Sequence, residues 1–197
     1  MKIGIEGQRL FRKKKHGMDM VALELIRNLQ LIDTENEYFI FVKPDEDNTV
    51  LKETPNFKII QLDGGSYPMW EQIALPKAAK KYGCEILHCT SNTAPIFSDI
   101  PLVTILHDII YMESSYYKIL TGSATPYQKF GNAYRKLIVP WVVKKSDKIV
   151  TVSHFEKNRI GEFFGMNNDK RLTAIYNGVS SHFKPVTDES ELKRVKE

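Results

Sequence analysis

Residues 147–160 read Asp147-Lys-Ile-Val-Thr-Val-Ser-His-Phe-Glu-Lys-Asn-Arg-Ile160, and beyond a turn the chain resumes as Thr173-Ala-Ile-Tyr-Asn-Gly-Val179. An apolar, β-branched run leads into a helical pattern behind Ser153. A second short strand ends on Asn177 and Gly178 before the chain leaves through Phe183, Lys184 and Pro185. Strand, helix and strand in that order form the repeating unit of a parallel sheet, because a parallel neighbour needs a crossover long enough to hold a helix. The same alternation runs back through the chain. Apolar β-type runs span 2–6, 38–42, 57–62, 85–89, 102–106, 148–152 and 172–175. Between them apolar residues recur at helical spacing: Val21, Leu25, Leu29 and Ile32, then the stretches Trp70 to Ala79 and Tyr127 to Val143. The expected fold class is α/β, a Rossmann-like parallel sheet with helices on both faces.

Local punctuation agrees. Thr125, Pro126 and Gln128 supply an N-cap, a proline at the first helical position and a capping-box partner, so a helix starts there, and Pro140 is expected to kink or split it. Ser153 with Glu156 reads as a second capping box, and Gly165 falls where a left-handed helix stop belongs. The tail 187–197 is charged and helix-prone with no stop signal, which reads as a chain halting inside a helix.

At 197 residues and 42% hydrophobic content the chain supports one large core, read as a domain over 1–180 followed by a linker segment over 181–197. A net charge of +4 permits phosphate-bearing ligands or anionic surfaces without demanding nucleic acid, and none is expected as a partner. The chain opens on a strand-like segment with no basic, apolar leader, and no run reaches ~18 apolar residues. A cytoplasmic protein without a membrane span is therefore expected. Cys84, His88 and Cys89 invite a metal reading. If 85–89 is a strand, however, Cys84 and His88 fall on one side and Cys89 on the other, so the three do not converge as a zinc site requires. Buried, reduced cysteines are expected instead.

The strand, Ser-capped helix and Asn-Gly-Val crossover at 147–179 resemble the close of the first lobe in retaining, nucleotide-sugar-dependent glycosyltransferases of the GT-B fold, family four, and the resemblance covers nearly the whole chain. It implies that residues 1–180 are an N-terminal, acceptor-side domain. Residues 181–197 would then lead into a second, donor-binding lobe, and the fragment alone would be inactive. The implied reaction moves a sugar from a nucleotide-diphosphate-sugar donor to a carbohydrate or lipid-linked carbohydrate acceptor with retention, in polysaccharide or cell-envelope assembly. No cofactor and no metal are implied beyond the donor substrate itself. Epimerases share the two-lobe plan and remain an alternative, as does a freestanding nucleotide- or phosphate-binding regulatory module.

In open parallel sheets ligands collect outside the carboxyl ends of the strands. Four such places carry chemistry here. After the first strand, Arg9, Arg12 and Lys15 precede Gly17, where a helix begins near Met18. Cations, a glycine and helix-start amides together suit a diphosphate, while the lysines read equally as a solvated loop. In the resembled family a Gly-rich loop stands here, with Asp19 at the place of its second glycine. At 106–108, Leu-His-Asp ends a strand. Alone it reads as an Asp turn beside a packed imidazole, and the resemblance makes His107 and Asp108 the leading catalytic pair, His107 positioning and polarising. The polar run 89–95 follows another strand, and its Thr90 and Asn92 suit sugar hydroxyls or an ordinary turn. Ser153, Phe155 and Lys157 match a family pattern on the following helix, although capping accounts for Ser153 by itself. Asn177 and Gly178 read as a turn needing positive φ, or as the hinge between lobes.

Two segments are aromatic, Tyr67 to Trp70 and Tyr111 to Leu120. Trp70 is assigned to the core. Tyr111 and the residues after it are assigned to a flap over the acceptor, resting at a membrane surface where the acceptor is lipid-linked.

Overall fold

The computed structural model describes residues 1–113, 115, 123, 125–179 and 194. The expected linker segment over 181–197, apart from residue 194, and most of the expected flap after Tyr111 lie outside them.

Seven strands, β1 (Lys2–Glu6), β2 (Glu37–Val42), β3 (Phe57–Gln61), β4 (Ile86–Cys89), β5 (Leu102–Ile105), β6 (Lys148–Thr151) and β7 (Leu172–Ala174), form one sheet in the order β3-β2-β1-β4-β5-β6-β7. Every pair is parallel. The Rossmann-like α/β class is thus the observed one. Side-chain alternation is strict where both faces are covered. Tyr38, Ile40 and Val42 join one apolar cluster with Ile5, Leu23 and Ile26, whereas Phe39 and Phe41 join another with Leu75, Leu87 and Ile138. Ile5 and Ile40 are fully buried, and each such side chain contributes roughly 1.5–3 kcal/mol of transfer free energy.

The crossovers are helical. Helix α1 (Gly17–Ile32) joins β1 to β2. A helical stretch made of α2 (Tyr67–Met69), a π-helical turn (Trp70–Ala74) and α3 (Leu75–Lys81) joins β3 to β4. Helix α4 (Ile110–Glu113) and the long α5 (Pro126–Lys145) follow β5, and α6 (His154–Phe164) follows β6. The aromatic segment 67–70 is therefore helical. The π-turn turns Trp70, Glu71 and Leu75 all inward, and the Trp70 indole N–H donates to the Leu62 carbonyl at 2.9 Å.

Four expectations need correction. The stripe of α1 that enters the core is Ala22, Leu23 and Ile26; of the expected set Leu29 packs against it, Val21 and Leu25 are half-buried and Ile32 is exposed, because the helix carries apolar residues on adjacent faces and periodicity alone does not choose between them. Pro140 lies inside α5 without splitting it, because it stands on the exposed side, where water meets the carbonyl its missing N–H would have bonded. Ser153 Oγ accepts the Glu156 N–H at 3.1 Å, but the reciprocal bond of a capping box is replaced by an ion pair between Glu156 and Arg159. β4 starts at Ile86, so Cys84 precedes the alternation and packs in the same cluster as Cys89. Both cysteines are free and buried, and burial pushes the Cys84 thiol up to about 11. Gly165 takes the left-handed stop at φ 68 as expected.

Candidate functional site

The strand order reverses direction between β1 and β4, which makes the carboxyl ends of those two strands the crevice of the sheet. Glu6 is the last residue of β1 and is buried. Its Oε2 accepts from the Thr90 hydroxyl at 3.0 Å and the Thr90 N–H at 3.3 Å, and its Oε1 accepts the Gln8 N–H at 2.9 Å. The two strand ends are thereby tied through a carboxylate. Gly7 follows, and a Cβ there would meet the Leu10 side chain at 2.7 Å, so a larger residue in the turn out of β1 would have to displace Leu10.

Arg9 turns back into the protein from this turn. Its Nε lies 2.8 Å from Asp19 of α1 and its guanidinium donates to Ser91 Oγ at 3.1 Å, all three groups being buried. Asp19 also accepts the His16 N–H at 2.9 Å, securing the first turn of α1. A narrow cleft is lined by Glu6, Gly7, Arg9, Asp19, Thr90 and Ser91. The other candidate cations of this loop are drawn to carboxylates. The Lys15 ammonium is held by Asp47 and the Arg12 carbonyl, and Lys13 lies 3.1 Å from Glu46. Arg12 is half-buried beside them. Gly17 opens α1 exposed, with no atom within 4 Å of where its Cβ would stand.

His107 stands past the end of the neighbouring strand β5 and is buried. Its N–H donates to Asn92 Oδ1 at 2.6 Å, and its ring Nε2 lies 3.0 Å from the Thr90 carbonyl. A carbonyl only accepts, so Nε2 carries the proton. Burial, the largest influence, lowers the imidazole pKa. The ring is therefore neutral near pH 7, with its lone pair on Nδ1. Asn92 holds this arrangement from a left-handed backbone, φ 66, and is the one non-glycine residue with positive φ among those described. Asp108 accepts the Ile110 N–H at 3.3 Å, the Asp turn that its residue type favours.

The remaining candidates lie further off. Tyr111 sits in α4, buried against Leu106, Val139 and Ile160, and burial raises its phenol pKa. Ser153 caps α6, and Lys157 lies one turn on, half-buried. Asn177 and Gly178 are exposed and neither has positive φ, so the expected left-handed turn geometry is corrected: nothing at these two residues forces a left-handed backbone.

Residues 16–183 match the model of glycosyltransferase family 4. The chain belongs to that family. Among curated protein sequences none matches it. Among solved structures it is similar to the Anabaena protein HepE in complex with UDP and glucose, with a TM-score of 0.50 and 14% identity. That similarity covers 100% of this chain and 50% of HepE, so the chain spans half the length of that relative.

Two buried carboxylates beside the crevice of this family 4 chain carried no role in the sequence analysis. Glu6 had a legible signal, an acid closing an apolar strand. Glu71 had none, because only the π-turn brings it inside. Its carboxylate receives the hydroxyls of Tyr67, Thr93 and Tyr134, at 3.1 Å from Tyr67 and 2.7 Å from Tyr134, and the Gln72 amide at 2.9 Å. Burial raises its pKa while the hydroxyl donors oppose that rise. Among the described residues no cluster of three or more His, Cys, Asp and Glu is arranged to hold a metal, and no helix is long and apolar enough to cross a membrane.

Proposed function

We propose that this chain is the acceptor-side lobe of a retaining glycosyltransferase that transfers a sugar from a nucleotide-diphosphate-sugar to a carbohydrate or lipid-linked acceptor. The observation that carries the reading is the neutral, oriented imidazole of His107 at the crevice beside the β1 and β4 ends. With Nε2–H committed to the Thr90 carbonyl, Nδ1 is left to accept a hydrogen bond from a sugar hydroxyl. His107 is then a group that positions and polarises. The acceptor proton passes to the departing phosphate oxygen as the old glycosidic bond breaks and the new one forms on the same face of the sugar. Asp108 fixes the turn after His107, and Thr90 and Asn92 hold its ring and backbone from the loop after the neighbouring strand β4. The exposed start of α1 at Gly17 offers amides toward a diphosphate from the second lobe, without a metal. A freestanding phosphate-binding module draws less support, because Arg9, Lys13 and Lys15 are paired with Asp19, Glu46 and Asp47.

The test uses both this chain and the two-lobe protein that the reading requires. The chain alone is expected to give no turnover with a panel of nucleotide sugars, and any turnover would sink the two-lobe reading. In the two-lobe protein, His107→Gln should lower kcat roughly a hundredfold while nucleotide affinity stays within about twofold. Unchanged kcat would remove His107 from the reaction.

A further inference from the structure

Helix α5, over its 20 residues from Pro126 to Lys145, carries Lys129, Arg135, Lys136, Lys144 and Lys145 and no acidic residue. Its inward side is accounted for: Ile138, Val139, Val142 and Val143 are buried in the two clusters beneath it. A second apolar stripe points the other way. Phe130, Leu137 and Trp141 follow the i, i+7, i+11 spacing of a single helix face and are 53%, 59% and 56% exposed. Lys144 and Lys145 flank Trp141 and are exposed. A helix whose solvent side holds aromatic and aliphatic groups between lysines has the composition of a segment lying in a bilayer interface.

The patch continues beyond the helix. Phe130 stacks against Tyr134 with ring centroids 6.4 Å apart, and the Tyr134 hydroxyl accepts the Gln72 amide at 2.9 Å. Gln72 is also the near wall of a groove of about 300 Å³ whose lining includes Ile73, Phe97, Lys77 and Lys80, with Asp99 its only acid. Phe97 is 84% exposed. Apolar groups ringed by cations thus cover one side of the lobe, and the complementary surface is negatively charged with an accessible apolar interior. The connection from β5 to β6 sets the direction of α5: its first turn lies at the carboxyl edge of the sheet, beside the crevice, and its last turn lies at the opposite edge.

We propose that the outer face of α5, Phe130, Leu137 and Trp141 with Lys144 and Lys145, is a docking face for an anionic phospholipid bilayer. Docked there, the crevice opens next to the lipid headgroups. The proposal does not depend on sugar transfer, since vesicle partitioning reads it directly.

The full chain is mixed with vesicles of phosphatidylcholine containing about 30 mol% phosphatidylglycerol, and with vesicles of phosphatidylcholine alone. Expected is partitioning to the anionic vesicles that weakens as salt rises from about 50 to about 500 mM. Trp141 emission should shift to shorter wavelength and be quenched by brominated lipid, while Trp70, fully buried, stays unchanged. The combined Phe130→Ser, Leu137→Ser, Trp141→Ser variant should partition at least about tenfold less. Lys144→Glu with Lys145→Glu should abolish the preference for anionic lipid, and this second variant decides the matter if the first one does not fold. Failure of the parent chain to partition, or partitioning that neither variant changes, overturns the proposal. So does a concentration-dependent dimer that the serine variant dissociates without any vesicle binding, because a second copy would then cover the face.

Discussion

Replacing Asn92 separates two forces that meet at one residue. Asn92 is 1% exposed, holds φ 66 and accepts the His107 N–H through Oδ1 at 2.6 Å. Asn92→Ala removes the acceptor and leaves a buried N–H unpaired, a loss of about 1–3 kcal/mol. It also places a Cβ without a local hydrogen-bonding partner in the left-handed region, adding about 1 kcal/mol. Asn92→Gly loses the same hydrogen bond but adopts φ 66 without strain, offset in part by the larger entropy of glycine in the unfolded chain. The expected losses are about 3 kcal/mol for alanine and about 2 kcal/mol for glycine. Urea midpoints at constant slope measure both, and the melting temperatures should fall by roughly 6–12 and 4–8 °C for a chain of this size. Glycine costing as much as alanine would refute the strain argument. Losses under about 0.5 kcal/mol in both would refute the hydrogen bond. If the chain acts within the two-lobe transferase proposed above, both variants should also lower its kcat, since the His107 backbone loses its anchor.

The His88 ring finds no partner for Nε2 among the described residues, and burial lowers its pKa to about 4 from an ordinary 6.5. The unfolded chain therefore binds the proton first: stability is lost as pH falls below about 6.5 and the loss is complete below about 4, amounting to about 3 kcal/mol. His88→Leu should flatten urea midpoints across that window, and an unchanged slope would assign the acid sensitivity elsewhere. Asp19→Ala leaves Arg9 buried without its carboxylate and should cost about 3–5 kcal/mol, with recovery in the Asp19→Ala, Arg9→Leu double variant; additive losses would show that the pair is uncoupled. Gly165→Ala, at φ 68 with open space around it, should cost about 1 kcal/mol, and a neutral result in thermal melting would mean that the end of α6 relaxes to another geometry.

The strands were legible because each is a short apolar run between breakers, and a parallel sheet covered on both faces leaves little else such a run can be. The caps at Thr125 and Gly165 were legible for a similar reason, since both act within a single turn of chain. The face of α1 was legible only in part, because apolar residues lie at helical spacing on two adjacent faces and only the neighbouring strands draw in Ala22, Leu23 and Ile26, with Leu29 at their edge. The candidate site divides the same way. The rule that ligands gather at strand ends pointed to His107, Thr90 and Asn92, whereas the bond from His107 to Asn92 and the closure of Glu6 on Thr90 join residues far apart in the chain.

The sequence by itself determined the order of strands and helices along the chain and the α/β class, because these rest on local hydrophobic periodicity and on residues at element ends, while the family was legible only through the resemblance carried by residues 147–179. The tertiary structure alone decided which charges face inward. Arg9 and Lys15 read as cations for a ligand, yet folding brings Asp19 and Asp47 against them. Glu71 carried no signal in the sequence, yet a π-turn delivers it to three hydroxyls and an amide. Charge pairing depends on distances of a few ångströms between segments remote in sequence, and no local pattern encodes those distances.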